Sequence, residues 1–158
     1  MVDNNVGIID RSFGFHTALE AAQRASTAAN DVGLMKLMGQ STSHIAMYAM
    51  LSIHEVDCRL IPRRMAGGLF EFLYCVHSRG RPHRMVILAE GAGQRLIPRP
   101  DPQQQQHDKS GNPVFLNIGA WLKAELGALA EEHVGELLTL KYIDPTYMVH
   151  AVAADNLD

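Results

Sequence analysis

Cysteine is scarce in this chain, with Cys58 and Cys75 the only two among 158 residues. That is too few for a disulfide framework. Both stand in apolar segments, where a reduced, buried thiol is the expected state and an intracellular compartment the default. Long apolar runs are missing as well, since none approaches the roughly 20 residues needed to span a bilayer. The N-terminal stretch from Met1 to Gly7 has neither a basic region nor an apolar core, so neither a secretory signal nor a transit peptide is read there. Positive charge is not in excess: 14 Lys and Arg stand against 17 Asp and Glu. This balance removes any general attraction to nucleic acid or to an anionic membrane surface, and neither is expected as a partner.

Two kinds of chemical motif are absent too. The eight histidines include no His-Glu-x-x-His and no paired Cys/His spacing, so the usual zinc geometry is missing and no metal ligand is assigned. No Gly-x-x-x-x-Gly-Lys-Ser/Thr loop is present to cradle a nucleotide phosphate.

What is present is enough apolar material for one domain. Hydrophobic residues make up 47% of the chain and charged residues 20%, which suits a single unit with a buried core. Ser12 can cap a helix over about 12–29 whose apolar residues Phe15, Leu19 and Ala22, with Ala18 and Ala25, recur at helical spacing before the Asn30-Asp31 breaker. Val32 to Met38 is apolar but too short for a stable helix, and reads as a buried strand. A second helix, with Ile45, Met47, Tyr48 and Leu51, is expected to start near Thr42, and Met47 and Met50, with Ile45 and Leu51, read as core filling rather than a cofactor box. The alternation continues with strand 56–61, helix 68–78, strand 84–90, helix 118–130 and strand 137–143. Such alternation predicts an α/β fold, a parallel sheet covered by helices. From Gly91 to Pro113, four prolines, counting Pro113, and the run Gln103-Gln104-Gln105-Gln106 carry no periodic apolar signal. A flexible surface loop is expected at about 94–113, inserted within one unit.

In open α/β sheets ligands bind beyond the carboxyl ends of the strands. That rule selects Met38-Gly39-Gln40, Pro62-Arg63-Arg64, Glu90-Gly91-Ala92-Gly93 and the stretch from Asp144 to His150. Two arginines and a histidine near glycine-rich turns suit a phosphate-bearing ligand, because a guanidinium binds phosphate through two parallel hydrogen bonds and glycine admits close backbone approach. Each feature also has an ordinary reading: an arginine after a strand is commonly a solvated surface group, and Gly91-Ala92-Gly93 commonly just a turn.

A longer series of motifs runs through the whole chain. It comprises Val2-Asp3-Asn4-Asn5 with the residues up to Phe15, Lys36-Leu37-Met38-Gly39-Gln40, Val56-Asp57-Cys58, Leu60-Ile61-Pro62, Gly67-Gly68-Leu69-Phe70-Glu71-Phe72, Ala89-Glu90-Gly91-Ala92-Gly93-Gln94, and Lys141-Tyr142-Ile143-Asp144-Pro145-Thr146-Tyr147-Met148. The series resembles the plant-type ATP-dependent 6-phosphofructokinases. That resemblance implies a three-layer parallel sheet with helices on both faces, incomplete in this chain, and a function in which the ATP γ-phosphoryl passes to O1 of fructose 6-phosphate.

By the same resemblance, ATP and magnesium are the cofactors and the nucleotide-binding segments lie upstream of Met1. Residues 1–158 then form mainly the sugar-phosphate-binding part. Asp3 stands where the family's proton acceptor does, and the carboxylate that helps organise magnesium falls on Asn5, an amide. Met38, Gly39 and Gln40 occupy the family's Met-Gly-Arg turn, with Gln40 lacking the arginine's fork. Arg63 follows Ile61-Pro62 where the family carries glutamate. Tyr147 and His150 match its Tyr-x-x-Arg, and a histidine is only partly charged near neutral pH.

Losing a buried charged hydrogen bond costs on the order of 2–5 kcal/mol, so the isolated chain is expected to be inactive. The alternatives are a non-catalytic subunit associating with intact phosphofructokinase, as part of a homo- or hetero-oligomer, or a gene fragment. Fructose 6-phosphate is the implied ligand. The cytoplasm is the implied location, a plastid being the other compartment the resemblance admits.

Overall fold

A computed structural model of the protein describes residues 13–26, 32–39, 44–53, 56–60, 84–98, 106–109, 111, 113–133 and 139–154. The helix expected over 68–78, Ser12 and Cys75 lie outside these residues.

Four helices and four strands alternate along the described chain: α1 (Phe15–Ser26), β1 (Val32–Leu37), α2 (His44–Ser52), β2 (Val56–Leu60), β3 (Arg84–Ala89), α3 (Ile118–His133), β4 (Leu140–Ile143) and α4 (Thr146–Ala151). The strands form one sheet in the order β2-β3-β1-β4, and every neighbouring pair is parallel. β1 pairs with β3 over its full length, Val32 opposite Arg84 through Leu37 opposite Ala89. On its other side Val32 to Met35 face Leu140 to Ile143.

Among the described residues the central strands are the driest, as a parallel sheet covered on both faces requires. Leu34, Met35, Met85, Val86, Ile87 and Leu88 are wholly buried. The two crossovers whose helices are among the described residues run in opposite directions: β1 leads through α2 to the far edge at β2, and β3 leads through α3 to the other edge at β4. Right-handed crossovers then put α2 and α3 on opposite faces.

On the α2 face, α1 presents Ala18, Ala22 and Ala25, and α2 presents Ala46 and Ala49, all buried in one core. Small side chains let the two backbones approach closely. Phe15 meets Tyr48 edge to face, centroids 5.3 Å apart, at the margin of this contact. On the opposite face α3 buries Ile118, Leu122 and Leu126 at successive four-residue steps.

The expected elements recur with shifted ends. Within the expected 12–29, of which residues 12 and 27–29 lie outside the described residues, α1 is Phe15–Ser26; Gly14, at φ 77°, occupies the turn before it, and the Ser26 hydroxyl donates to the Gln23 carbonyl at 2.6 Å. α3 runs three residues past 130, and β4 begins at Leu140 rather than 137. α4 was not expected, because six residues hold too few turns for an apolar period to register.

Parts of the segment expected as a loop at 94–113 carry structure. The Gln94 side-chain amide donates to the Leu116 carbonyl and accepts from the Leu116 N–H, each at 2.9 Å. A side chain there imitates a rung of β-ladder. Farther along, His107 pairs with Pro113 in an isolated antiparallel bridge.

Candidate functional site

β1 and β4 are adjacent, parallel and in register, so the turns that leave their carboxyl ends emerge on one edge of the sheet. Met38 and Gly39 follow β1. Asp144, Pro145 and α4, which carries Tyr147 and His150, follow β4. Two candidate groups far apart in sequence are thereby brought to the same edge.

Met38 is half-buried and packs against the core, which aims the turn outward from a fixed base. Gly39 has φ 132°, in a region that side-chain-bearing residues rarely adopt. Tyr147 is 86% exposed and His150 is exposed too, so both face solvent at this edge. Asp3, Gln40 and Arg63 lie outside the described residues.

The other described carboxyl-end turn, Glu90-Gly91-Ala92-Gly93, is packed in place. The Glu90 N–H extends the ladder by donating to the Leu37 carbonyl at 3.0 Å, Ala92 is wholly buried, and Gly93 takes φ 61°. These small residues serve close packing at the end of β3 rather than an open cradle.

Beneath the β1 and β4 turns lies a polar network. Sheet alternation puts Leu34 and Lys36 on one face of β1, the face on which Tyr142, the register partner of Leu34, meets α3. Lys36 Nζ donates to Asp144 Oδ2 at 2.8 Å. The other Asp144 oxygen accepts from the Thr146 N–H at 3.2 Å and from the Thr146 hydroxyl at 2.5 Å, a local turn that starts α4.

The Tyr142 hydroxyl donates to Asn117 Oδ1 at 2.9 Å; Asp144 Oδ2 lies farther from it, at 3.4 Å. Asn117 Oδ1 also accepts from the Ala120 N–H at 3.2 Å and so caps α3. Gly119 makes this arrangement possible, because a Cβ there would sit 2.0 Å from the Tyr142 ring.

The network sets its own protonation. Burial alone would raise the Asp144 carboxyl, but hydrogen bonds from Lys36 and Thr146, together with the Lys36 charge, outweigh it and hold the group below its ordinary 3.8. Burial would lower Lys36, yet the Asp144 hydrogen bond and the charges of Tyr142, Asp144 and Glu90 raise it above 10.5. Burial, opposed by the Lys36 charge and helped by that of Asp144, raises Tyr142 above 10.0. Near neutral pH the network therefore holds a charged pair and a neutral phenol.

Asn117 and Gly119 were not singled out from the sequence, and Lys36, Tyr142 and Asp144 only as members of longer stretches. Lys36 did carry a signal, since one cation inside an otherwise apolar strand requires a partner. Asn117 just ahead of an apolar-periodic helix is likewise a cap signature.

Comparison with known proteins gives this edge a family. The phosphofructokinase family model matches residues 1–157. The chain belongs to the phosphofructokinase family. It is 54% identical to ATP-dependent 6-phosphofructokinase 2 of Arabidopsis thaliana over 99% of its length, and 43% identical to ATP-dependent 6-phosphofructokinase 1 of the same plant over an equal share. It spans 38% and 36% of those two relatives.

Among solved structures it is similar to Pichia pastoris phosphofructokinase in the T-state, with a TM-score of 0.59 and 15% identity, over 94% of this chain and 16% of that one. Phosphofructokinase from Saccharomyces cerevisiae matches with a TM-score of 0.58 and 22% identity, over 94% and 18%. The fold is accordingly a partial phosphofructokinase-like α/β fold. Relatives of this family are phosphotransferases by name.

Among the described residues no three of His, Cys, Asp or Glu converge to hold a metal ion. No described helix is long and apolar enough to cross a membrane.

Proposed function

We propose that this chain carries the fructose 6-phosphate-binding part of an ATP-dependent 6-phosphofructokinase, with the sugar phosphate held at the carboxyl ends of β1 and β4. The observation that carries this reading is the 54% identity, over 99% of the chain, to a relative named for that activity. Family membership and the shared edge of Met38, Gly39, Tyr147 and His150 support it.

In this reading Asp3 takes the proton of the attacking sugar hydroxyl, and Gln40 and Arg63 border the phosphate and the sugar. ATP supplies the phosphoryl group in the whole enzyme. Positioning is most of what a protein contributes to such a transfer. Gln40, Arg63 and His150, each differing from the family's residue, weaken the grip on the sugar phosphate, and the chain by itself does not complete the reaction.

These same replacements favour a second reading, a non-catalytic subunit assembling with intact phosphofructokinase. The cytoplasm is the proposed location; two similar Arabidopsis proteins are named chloroplastic.

Amide spectra of the chain, recorded while fructose 6-phosphate is added, test the placement. Shifts concentrated on Met38, Gly39 and residues 147–150 are expected. Shifts confined to α1 or α3, or none at millimolar sugar phosphate in either this chain or a Gln40→Arg, Arg63→Glu, His150→Arg variant, would sink it.

A further inference from the structure

α4 has few anchors of its own. Six residues fall well short of the roughly 12 at which an isolated helix holds together in water, and none of its side chains is fully buried. Pro145 is buried just ahead of it, Val149 packs partly against the core, and the helix touches α1.

The remaining anchor is Asp144. One carboxylate oxygen holds the Thr146 N–H and hydroxyl, while the other holds Lys36. Lys36 in turn stands two residues before Met38 on β1, so this ion pair ties the strand end that carries the Met38-Gly39 turn to the turn that launches Tyr147 and His150.

The surroundings confine both partners. The Lys36 side chain is 16% exposed and that of Asp144 30%. Among the described residues the other titratable groups facing the pair are Tyr142 from β4 and Glu90 from the end of β3, with Asn117 of the α3 cap behind the phenol. Lys36 is the cation these acceptors share, and Asp144 is its direct partner.

We propose that Lys36 and Asp144 form a positioning pair that fixes α4, and with it Tyr147 and His150, relative to the Met38-Gly39 turn. The proposal rests on the reading above, in which these four residues hold one sugar phosphate. A ligand gripped from two separate turns is bound well only if the turns keep one relative geometry, and small misplacements there are costly. Neither member of the pair needs to touch the ligand.

The test uses the whole chain and has two arms. In the first, amide order parameters of residues 147–150 are measured in Lys36→Met and Lys36→Arg without ligand. They are expected to fall from about 0.85 to below about 0.6 in Lys36→Met, with α3 unchanged and Lys36→Arg close to the natural chain. Asp144→Asn, which keeps an oxygen for Thr146, serves if Lys36→Met does not fold, and a fall at 147–150 is expected there too.

In the second arm, Lys36→Met is added to the Gln40→Arg, Arg63→Glu, His150→Arg variant. Fructose 6-phosphate binding is expected to weaken by about tenfold, and by less than about threefold for Lys36→Arg. Order parameters unchanged at 147–150, or lowered equally in α3, would overturn the positioning role. Failure of the triple variant to bind the sugar phosphate would overturn the substrate reading instead, while the order parameters still decide whether the pair sets α4.

Discussion

The middle of the sheet and its carboxyl edge are built on opposite principles. In the middle, β1 and β3 bury Leu34, Met35, Val86, Ile87 and Leu88 under helices on both faces, and each contact is apolar and short of alternatives. At the edge, Lys36, Tyr142, Asp144, Thr146 and Asn117 meet through directional bonds between residues up to 108 positions apart, counted from Lys36 to Asp144. The middle resists change through packing, and the edge holds a geometry through a few bonds. Mutations should therefore act on stability in the first region and on local order in the second.

The largest effect is expected from Leu34→Ala, which leaves a cavity at a wholly buried site. A loss of about 2–5 kcal/mol is predicted, read from chemical denaturation. A loss under about 1 kcal/mol would mean that the middle is loosely packed.

Gly119→Ala comes next. Its new Cβ collides with the Tyr142 ring, so the ring must leave Asn117. About 1–3 kcal/mol is expected to be lost by thermal denaturation, with a changed Tyr142 environment in near-ultraviolet circular dichroism. Asn117→Ala should cost less, about 1 kcal/mol from the lost helix cap. If it cost as much as Leu34→Ala, the division between the two regions would fail.

The smallest effect on global stability belongs to the ion pair. Because it is partly exposed, roughly 0–1 kcal/mol is at stake. The sign is fixed by the shifts. The lowered Asp144 contributes stability that is fully present above about its ordinary 3.8 and is lost as pH falls through its still lower folded value. The raised Lys36 contributes stability below 10.5 that is lost as pH rises through its higher folded value. Denaturation at pH 7 and pH 3 should show a smaller acid loss for Asp144→Asn than for the natural chain. An identical loss would remove Asp144 from the account.

The same contrast explains how legible each region was. Apolar runs such as Val32 to Leu37 and Arg84 to Ala89 announce buried strands in a short window, and the Ile118, Leu122, Leu126 spacing announces a helix face. The carboxyl-end rule then selected Met38, Gly39 and the stretch that holds Tyr147 and His150 among four turns, without saying which of them are adjacent. What joins Lys36 to Asp144, or Asn117 to Tyr142, is strand order, which no local window contains. α4 was missed for a related reason, since the turn at Asp144 launches it and its own six residues carry too little pattern.

The most direct test of the account is a calorimetric titration with fructose 6-phosphate of the natural chain beside its Gln40→Arg, Arg63→Glu, His150→Arg variant, both first shown folded by circular dichroism. The account predicts at least about a hundredfold tighter binding by the variant, since even 2.8 kcal/mol from three regained charged contacts gives that factor. Micromolar binding by the natural chain with no gain in the variant would contradict it.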